Sequence, residues 1–358
     1  MENKYSREIE ILSLIEPLDK RALEAAKKHW LRVVKPLFSL GKLEDMISRI
    51  AGIKGEVHYS IDKKALVIMC ADNGVVEEGI SQSGQEVTAV VTSSFLKGET
   101  SVCLMAKRAL CHIYPVDIGI ATDIEGLTDP ESKVCRGTGN IALGPAMSRK
   151  EAIRAINIGI NKVRLLKEEG YGLIATGEMG IGNTTTSSAL ASVFLGLSPK
   201  EVTGRGAGLS GEALDKKIRV IERAISVNRP DPEDAIDALS KLGGLDIAGL
   251  CGVCLGGAIY RVPIVLDGFI AAVSALTAYR ICPLAKEYMI ASHVSKEPAG
   301  KMLLDALSLS PVIYGDMCLG EGTGAMAFLP MLDMAHDIYE ELPLFDNWEG
   351  GEAYQVFE

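Results

Sequence analysis

The chain has 358 residues, of which 47% are hydrophobic and 23% charged, which is typical of a soluble globular protein and excludes a disordered one. This length predicts two domains, or one large α/β domain with a small appendage. The formal net charge of −10, without any block of like charges, argues against nucleic acid as the main partner, because binding along a phosphate backbone needs a basic face.

Cysteine usage and hydropathy predict a cytoplasmic protein. Of eight cysteines, only Cys251 and Cys254 form a close C-x-x-C pair, and no second pair completes a zinc site, so buried thiols in a reducing compartment are favoured. The N-terminal segment "MENKYSREIEIL" carries charges at once and does not resemble a signal peptide. In the most apolar region, the longest uncharged run, "IAGLCGVCLGGAIY", is shorter than the roughly 20 residues of a membrane helix.

The predicted elements begin with helices and then alternate with strands. Residues 1–50 are predicted to be helical, because "PLDKRALEAAKKHWLRVVKPL" has apolar residues at helical spacing. The run Ala65–Cys70 is short, apolar and partly β-branched, and polar and glycine residues end it, which predicts a buried strand and a loop. A helix over about 85–110 and a strand over 111–121 follow.

The strand–loop–helix pattern recurs three more times, in "YGLIATGEMGIGNTTTSSALASVFLG", "VPIVLDGFIAAVSALTAYRI" and "YMIASHVS". Such alternation predicts an α/β fold with a mostly parallel sheet that is covered by helices. The two chain ends have no strand of their own. We therefore expect residues 1–60 and 325–358 to pack together as a small helical subdomain beside an α/β domain over 61–324 that carries the active site.

The predicted loops after the strands are rich in glycine and polar residues, and ligands of open α/β sheets bind there. In "GEMGIGNTTT" the glycines let a ligand approach the backbone, and the next helix offers N–H groups to a phosphate. The lysine of a P-loop motif is missing. A second loop, "GRGAGL", supplies Arg205, and the helix behind it supplies Lys217, as cations for a phosphate. Taken alone, such loops and lysines are more often purely structural.

Two carboxylates stand out, because Glu178 and Glu321 each follow a glycine and precede an apolar helix. A carboxylate at a helix N-terminus is stabilised in its charged form, which describes a capping residue. A general base instead needs burial that raises its pKa toward neutrality. From the residues alone, the two roles are evenly matched.

Seven stretches, in this order, cover most of the chain and together resemble the nicotinate-nucleotide:5,6-dimethylbenzimidazole phosphoribosyltransferase family. The combination of "GEMGIGNTT" with "LGEGTGA" is the most specific part of this resemblance. The stretches are "ADNGVVEEGISQSGQEVT", "TGEMGIGNTTTSSAL", "GRGAGL", "GGLDIAGLCG", "LDGF", "SHVSKEPAG" and "LGEGTGAM".

The resemblance implies a Rossmann-like, mostly parallel sheet with a small helical domain, a dimer, and a set of site residues. Glu321 matches the catalytic base of the family and Glu178 a second active-site glutamate. The positions that match phosphate and ribose contacts are Gly180, Gly206, Lys217 and Ser295. Those in segments that shape the base pocket are Ser81, Gln85, Leu319 and Gly320.

The implied reaction moves the phosphoribosyl group of nicotinate mononucleotide to a lower-ligand base, which gives α-ribazole 5′-phosphate and nicotinate in cobalamin biosynthesis. The leaving ring is already a pyridinium and departs neutral, so no general acid is needed. The incoming benzimidazole must lose its N–H proton, so one base on the aromatic side is enough. The transition state is oxocarbenium-like, so Glu178 can stabilise positive charge on the ribose or orient its hydroxyls. A β-linked substrate and an α-linked product imply inversion without a covalent enzyme intermediate, and neither a metal nor a cofactor is implied.

One position departs from the family pattern, since Asn73 stands where the family has histidine. Asparagine still forms hydrogen bonds, but it cannot become a cation near neutral pH. Three alternatives stay open at this point. The chain is a subunit of a heterodimeric enzyme that activates phenol or p-cresol, the non-catalytic partner in such a heterodimer, or another nucleotide-binding enzyme such as a small-molecule kinase.

Overall fold

The computed structural model describes residues 4–6, 8–127, 129, 131–206, 208–350 and 354. The helices of these residues are α1 (Lys20–Trp30), α2 (Lys42–Lys54), α3 (Glu86–Lys97), α4 (Ser101–Arg108), α5 (Arg149–Glu168), α6 (Asn183–Leu195), α7 (Pro199–Val202), α8 (Gly211–Asn228), α9 (Ala235–Leu242), α10 (Leu245–Tyr260), α11 (Phe269–Ile281), α12 (Gly300–Ala306) and α13 (Thr323–Glu341). The strands are β1 (Lys64–Ala71), β2 (Cys111–Gly119), β3 (Leu173–Met179), β4 (Ile264–Leu266) and β5 (Met289–Ala291).

The five strands form one sheet in the order β2-β1-β3-β4-β5, and every neighbouring pair is parallel. This confirms the predicted α/β fold with a parallel sheet. The strand order reverses between β1 and β3, so the loops that leave these two strands diverge. In doubly wound sheets, a crevice that binds ligands opens at this point.

The sheet lies between two hydrophobic cores, and β1 contributes to both because successive side chains of a strand point to opposite faces. Val67 and Met69 pack in the core that contains α5, α10 and α11. Leu66 and Ile68 pack in the core that contains α2, α4 and α13. All eight residues of β1 are buried, as expected of a parallel strand with helices on both faces.

The predicted helix over 85–110 is two helices in the structure. Gly98 has a φ of 74° and ends α3 in a left-handed conformation that glycine adopts easily. Thr100 then caps α4, because its side chain accepts a hydrogen bond from the backbone N–H of Cys103. The backbone N–H of Val102, near the start of α4, contacts the Glu321 carboxylate in the loop before α13.

The two chain ends pack together. The ring of Trp30 lies 4.9 Å from that of Tyr339, and Val33 pairs with Leu344 in an isolated antiparallel bridge. Helix α13 ends at Glu341, so the predicted helical end is shorter than expected, and residues 351–353 and 355–358 lie outside the described part. Within the described residues, none of the helices has the length and hydropathy needed to cross a membrane.

Candidate active site

A cleft of about 260 Å³ opens beyond the carboxyl ends of β1, β3, β4 and β5. It contains nine of the ten site residues that the sequence singled out: Ser81, Glu178, Gly180, Gly206, Lys217, Ser295, Leu319, Gly320 and Glu321. Gln85 is the exception, since it precedes α3 and does not line the cleft, whereas Gln82 does. The predicted loops therefore meet around one cavity.

The loop that carries Glu321 has an unusual backbone. Gly320, Glu321 and Gly322 have φ angles of 89°, 61° and 98°, so three successive residues are left-handed. This conformation costs a non-glycine residue about 1–2 kcal/mol, and such strain is concentrated at functional sites. A Cβ at Gly320 would lie 2.5 Å from Oε1 of Glu178, so glycine also lets the two loops approach each other.

Helix α13, which follows this loop, is capped by Asp267 and not by Glu321. Oδ1 of Asp267 accepts hydrogen bonds from the N–H groups of Gly324 (2.8 Å) and Ala325 (3.1 Å). Its Oδ2 accepts one from the N–H of Gly322 (3.2 Å). The first N–H groups of the helix are thus satisfied by a residue from the β4–α11 loop. This leaves the Glu321 carboxylate available for another role.

The carboxylate of Glu321 is partly buried at the cleft wall. Burial raises its pKa, the charge of Asp267 adds to this effect, and the backbone N–H of Val102 in α4 opposes it. Oε2 of Glu321 is buried and has no hydrogen-bond partner within the described part of the chain. An unpaired buried carboxylate oxygen is costly unless a ligand supplies the donor.

Glu178, in contrast, has partners for both carboxylate oxygens. Oε1 accepts the backbone N–H of Glu321 at 3.3 Å, and Oε2 accepts the side-chain amide of Asn183. Burial raises the pKa of Glu178 to about 8, with smaller contributions of the same sign from the charges of Asp246 and Asp267. Glu178 is therefore held in place by two hydrogen bonds, and burial favours its protonated form.

A buried cation lies at another side of the cleft. Lys217 is only 1% exposed, and its Nζ donates to Oγ1 of Thr184 at 2.8 Å and to the carbonyl of Gly204 at 3.4 Å. Burial lowers the pKa of Lys217 to about 8, although the charge of Glu297 opposes this shift. A buried ammonium group that forms no ion pair with the described carboxylates is suited to a phosphate.

Gly180, Gly206 and Ser295 surround the same region. A Cβ at Gly180 would lie 2.5 Å from the carbonyl oxygen of Ala71, so this loop needs glycine to pass the end of β1. The N–H of Gly206 donates to Oε1 of Glu297 at 3.1 Å, and Oγ of Ser295 accepts the N–H of Glu297 at 3.3 Å. Glu297 thereby orders the glycine loop beside Lys217.

The remaining wall of the cleft is largely apolar. Ser81 and Leu319 lie here, together with residues that the sequence did not single out: Ile80, Val91, Met179 and Ile181. Leu319 is 55% exposed, so this part of the cleft is open to solvent. A flat aromatic ring can therefore contact apolar side chains here, with Glu321 and Lys217 lining the same cavity.

Sequence reasoning missed several polar residues of the site. It placed Asp267 and Glu297 in loops of interest without giving them a role. It did not single out Asn183 as a partner of Glu178, or Asp246 at all. The signal for Asp246 is visible in hindsight, because it is an acidic residue at the start of the most apolar helix, α10.

Asn73, the position that departs from the family pattern, is fully buried and does not line the cleft. Its side chain lies beside Asp246, behind the Gly180 loop. An effect of this residue on a ligand would therefore be indirect. Among the described residues, no group of three or more histidine, cysteine or acidic side chains could hold a metal ion.

The chain is similar to known proteins over most of its length. The family model described as "Phosphoribosyltransferase" matches residues 15–348. A nicotinate-nucleotide–dimethylbenzimidazole phosphoribosyltransferase from Acetivibrio thermocellus is 48% identical over 336 residues, which cover 94% of this chain and 96% of that protein. The enzyme of the same name from Clostridium acetobutylicum is 48% identical over 337 residues, covering 94% and 95%. The crystal structure of CobT from Thermus thermophilus matches with a TM-score of 0.86 at 36% identity, covering 91% of this chain and 98% of that one.

Proposed function

This chain belongs to the nicotinate-nucleotide–dimethylbenzimidazole phosphoribosyltransferase family and is a phosphoribosyltransferase of cobamide biosynthesis, and we propose that Glu321 is the general base of its reaction. The reaction transfers the phosphoribosyl group of nicotinate mononucleotide to 5,6-dimethylbenzimidazole or a related base. The products are α-ribazole 5′-phosphate and nicotinate.

The observation that carries this proposal is the unpartnered Oε2 of Glu321 among the described residues. Nicotinate leaves as a neutral ring, so the only proton to be moved is the N–H proton of the attacking benzimidazole. Glu321 has a buried oxygen free to accept it and a raised pKa, which brings its basicity closer to neutral pH. Both oxygens of Glu178 are already engaged, which favours Glu321 for proton transfer.

We assign Glu178 an electrostatic role. The substrate brings a pyridinium cation into the cleft, and positive charge then develops on the ribose. Either charge stabilises the ionised form of Glu178, so substrate binding lowers the raised pKa of this residue. The resulting carboxylate stabilises the oxocarbenium-like transition state or orients the ribose hydroxyls.

We assign the phosphate to the region around Lys217, with Gly180, Gly206 and Ser295 as neighbours. The support is the 1% exposed Lys217 ammonium group and the glycine backbone that surrounds it. The apolar wall with Ser81, Gly320 and Leu319 then receives the aromatic base. We expect attack and departure to occur on opposite faces of the ribose, because the inversion from a β- to an α-linkage requires it.

The decisive experiment incubates the purified chain with nicotinate mononucleotide and 5,6-dimethylbenzimidazole and measures released nicotinate and α-ribazole phosphate by chromatography. Parallel reactions replace the benzimidazole with phenol and p-cresol. We expect product with the benzimidazole from this chain alone. No release with any of these bases would overturn the proposal, and release only with phenols in the presence of a second subunit would favour the heterodimeric alternative.

We also propose that the chain forms a homodimer through the exposed apolar side chains of α3, α4 and α13. Val90 is 62% exposed, Leu104 63% and Met334 58%. Pro330 and Leu104 line one common depression, so α4 and α13 are neighbours on this surface. Large apolar side chains exposed on neighbouring helices support a protein–protein contact here.

Two further assignments are proposals of the same kind. We propose that residues 1–60 and 325–358 act as a small helical subdomain, which the contacts between Trp30 and Tyr339 support. We propose a cytoplasmic location, which the eight free cysteines support because thiols persist in reducing compartments.

A further inference from the structure

A chain of buried polar groups lies behind Glu178 and extends away from the cleft. Nδ2 of Asn183 donates both to Oε2 of Glu178 and to Oδ2 of Asp246, the latter at 2.9 Å. Oδ1 of Asp246 accepts the backbone N–H of Ile247 at 3.0 Å. The two hydrogens of one amide thus join two carboxylates that come from different parts of the chain.

Asp246 is an unusual residue for its place in the fold. It is fully buried at the start of α10, which is otherwise composed of apolar residues and glycine. Within the described part of the chain it has no ion pair with a lysine, arginine or histidine, and it does not line the cleft. A carboxylate in such surroundings costs several kcal/mol unless hydrogen bonds compensate for the lost water. Helix α10 would form without it, since its apolar residues already pack on α5 and the sheet.

We propose that Asp246 is a positioning residue for phosphoribosyl transfer, which acts through Asn183 to hold the Glu178 carboxyl group in the orientation that the ribose requires. This inference rests on the proposed function, because it assumes that Glu178 acts on the substrate. It goes beyond that function, because Asp246 does not itself line the cleft and reaches it only through Asn183.

The geometry supports this role from three sides. Asn183 is the buried first residue of α6, and Asp246 gives its amide a second fixed acceptor besides Glu178. The other oxygen of Glu178 is held by the backbone of Glu321, so the carboxyl group is anchored at both ends. Asn73 lies on the far side of Asp246, and its buried amide has no partner of normal hydrogen-bond geometry among the described residues. The neighbour behind Asp246 is therefore a neutral amide and not a cation.

The charges around Glu178 follow from this arrangement. The acidic groups whose charges act on it are Asp246 from α10 and Asp267 from the β4–α11 loop, whereas the loop before α13 presents the backbone N–H of Glu321. His293 lies beside Asp267. Burial raises the pKa of Asp246 only to about 6, whereas that of Glu178 rises to about 8. Both carboxyl groups therefore bind a proton more tightly than an exposed acid does.

The test compares Asp246→Asn and Asn183→Ala with Asp117→Asn. Asp117, near the end of β2, is a matched control because it is also a buried aspartate, but it pairs with Lys133 and lies outside the cleft. We expect Asp246→Asn and Asn183→Ala to lower kcat roughly 10- to 100-fold, with KM for nicotinate mononucleotide changed less than about threefold. Asp117→Asn should change neither constant.

The pH profile of kcat/KM separates positioning from a loss of packing. Asp246→Asn removes a negative charge beside Glu178 and should lower the pKa of Glu178. The rise of kcat/KM with pH that follows ionisation of Glu178 should then occur at lower pH. Asn183→Ala removes a hydrogen-bond donor to Glu178 and should raise the pKa of Glu178, so that the same rise in kcat/KM occurs at higher pH. If either variant fails to fold, as judged by circular dichroism and thermal unfolding, the other still tests the proposal.

A double-mutant cycle with Glu178→Gln completes the experiment. If Asp246 acts through Glu178, Asp246→Asn should have no further effect on kcat in the Glu178→Gln background. Additive losses, or wild-type pH profiles in folded variants, would overturn the positioning role. Full activity of Glu178→Gln alone would instead overturn the proposed role of Glu178, so the two failures are distinguishable.

Discussion

The backbone N–H of Glu321 donates a hydrogen bond to the carboxylate of Glu178 at 3.3 Å, so the two glutamates that line the cleft are joined although 143 positions separate them in the chain. The bond fixes the loop before α13 against the end of β3. The two carboxylates are thereby held beside the same cavity. Both oxygens of Glu178 accept hydrogen bonds, whereas Oε2 of Glu321 has no partner among the described residues.

Glu321→Gln should keep the fold and reduce turnover roughly 10²- to 10⁴-fold, because glutamine cannot accept the proton of the benzimidazole. In the wild type, kcat should rise with pH through a pKa above the ordinary range of glutamate, since burial raises that of Glu321. The Glu321→Gln variant should lack this rise of kcat with pH. Glu44→Gln is the matched control, as Glu44 is a buried glutamate outside the cleft. Retained turnover in Glu321→Gln would exclude Glu321 as the base.

Asp267→Ala should lower the free energy of unfolding by about 1–3 kcal/mol, because three backbone N–H groups at the start of α13 lose their acceptor. Glu321→Ala should change it by less than about 1 kcal/mol, since Asp267 and not Glu321 caps this helix. Urea unfolding monitored by circular dichroism measures both values. The reverse order of the two effects would return Glu321 to the capping role.

The free energy of unfolding of Glu178→Gln should increase relative to that of wild type as pH rises from about 5 to 8. The folded state holds the Glu178 proton up to a pKa of about 8, whereas the unfolded state releases it near 4.5. The unfolded state binds fewer protons in this window, so wild-type stability falls as pH rises, by up to a few kcal/mol in total. Urea titrations at pH 5 to 9 should show this divergence. The exposed control Glu212→Gln should follow the wild-type curve, and the same course in Glu178→Gln would contradict the prediction.

Phosphate binding should be accompanied by proton uptake near pH 8. Burial holds the pKa of Lys217 at about 8, so only about half of the molecules carry the charge, and a bound anion raises that fraction. Calorimetric titration with inorganic phosphate in buffers of different ionisation enthalpy should give an uptake of up to roughly half a proton. Lys217→Arg should bind phosphate without this uptake, because guanidinium stays charged. Equal proton numbers in both proteins would show that Lys217 does not contact the anion.

Leu104→Glu should convert the proposed dimer to monomers, because it places a charge in the exposed apolar surface of α4. Light scattering after size-exclusion chromatography gives the mass directly. Leu143→Glu is the matched control, as Leu143 is similarly exposed at 71% but lies in the loop before α5. A wild-type monomer, or a dimer that survives Leu104→Glu, would place the subunit contact elsewhere or remove it.

Much of the architecture was predictable because it depends on local patterns of apolar, polar and glycine residues. The run Ala65–Cys70 was expected to be a strand, and β1 extends it by one residue at each end. The loops before α6 and α13 were recognised by their glycines. The expected single helix over 85–110 was wrong in one respect, since Gly98 and Thr100 divide it into two helices. Both residues are typical of helix ends, but the apolar periodicity on either side of them favoured one continuous helix.

The amino-acid sequence by itself determined the alternation of strands and helices, the parallel α/β fold and the two glutamates that stand among glycines. These features depend on side-chain periodicity and backbone freedom, which act over a few residues. Only the tertiary structure decided that Asp267 caps α13, that Oε2 of Glu321 is left without a partner among the described residues, and that Asp246 reaches Glu178 through Asn183. Each of these outcomes depends on burial and on contacts between distant segments, and the spacing of residues along the chain does not contain that information.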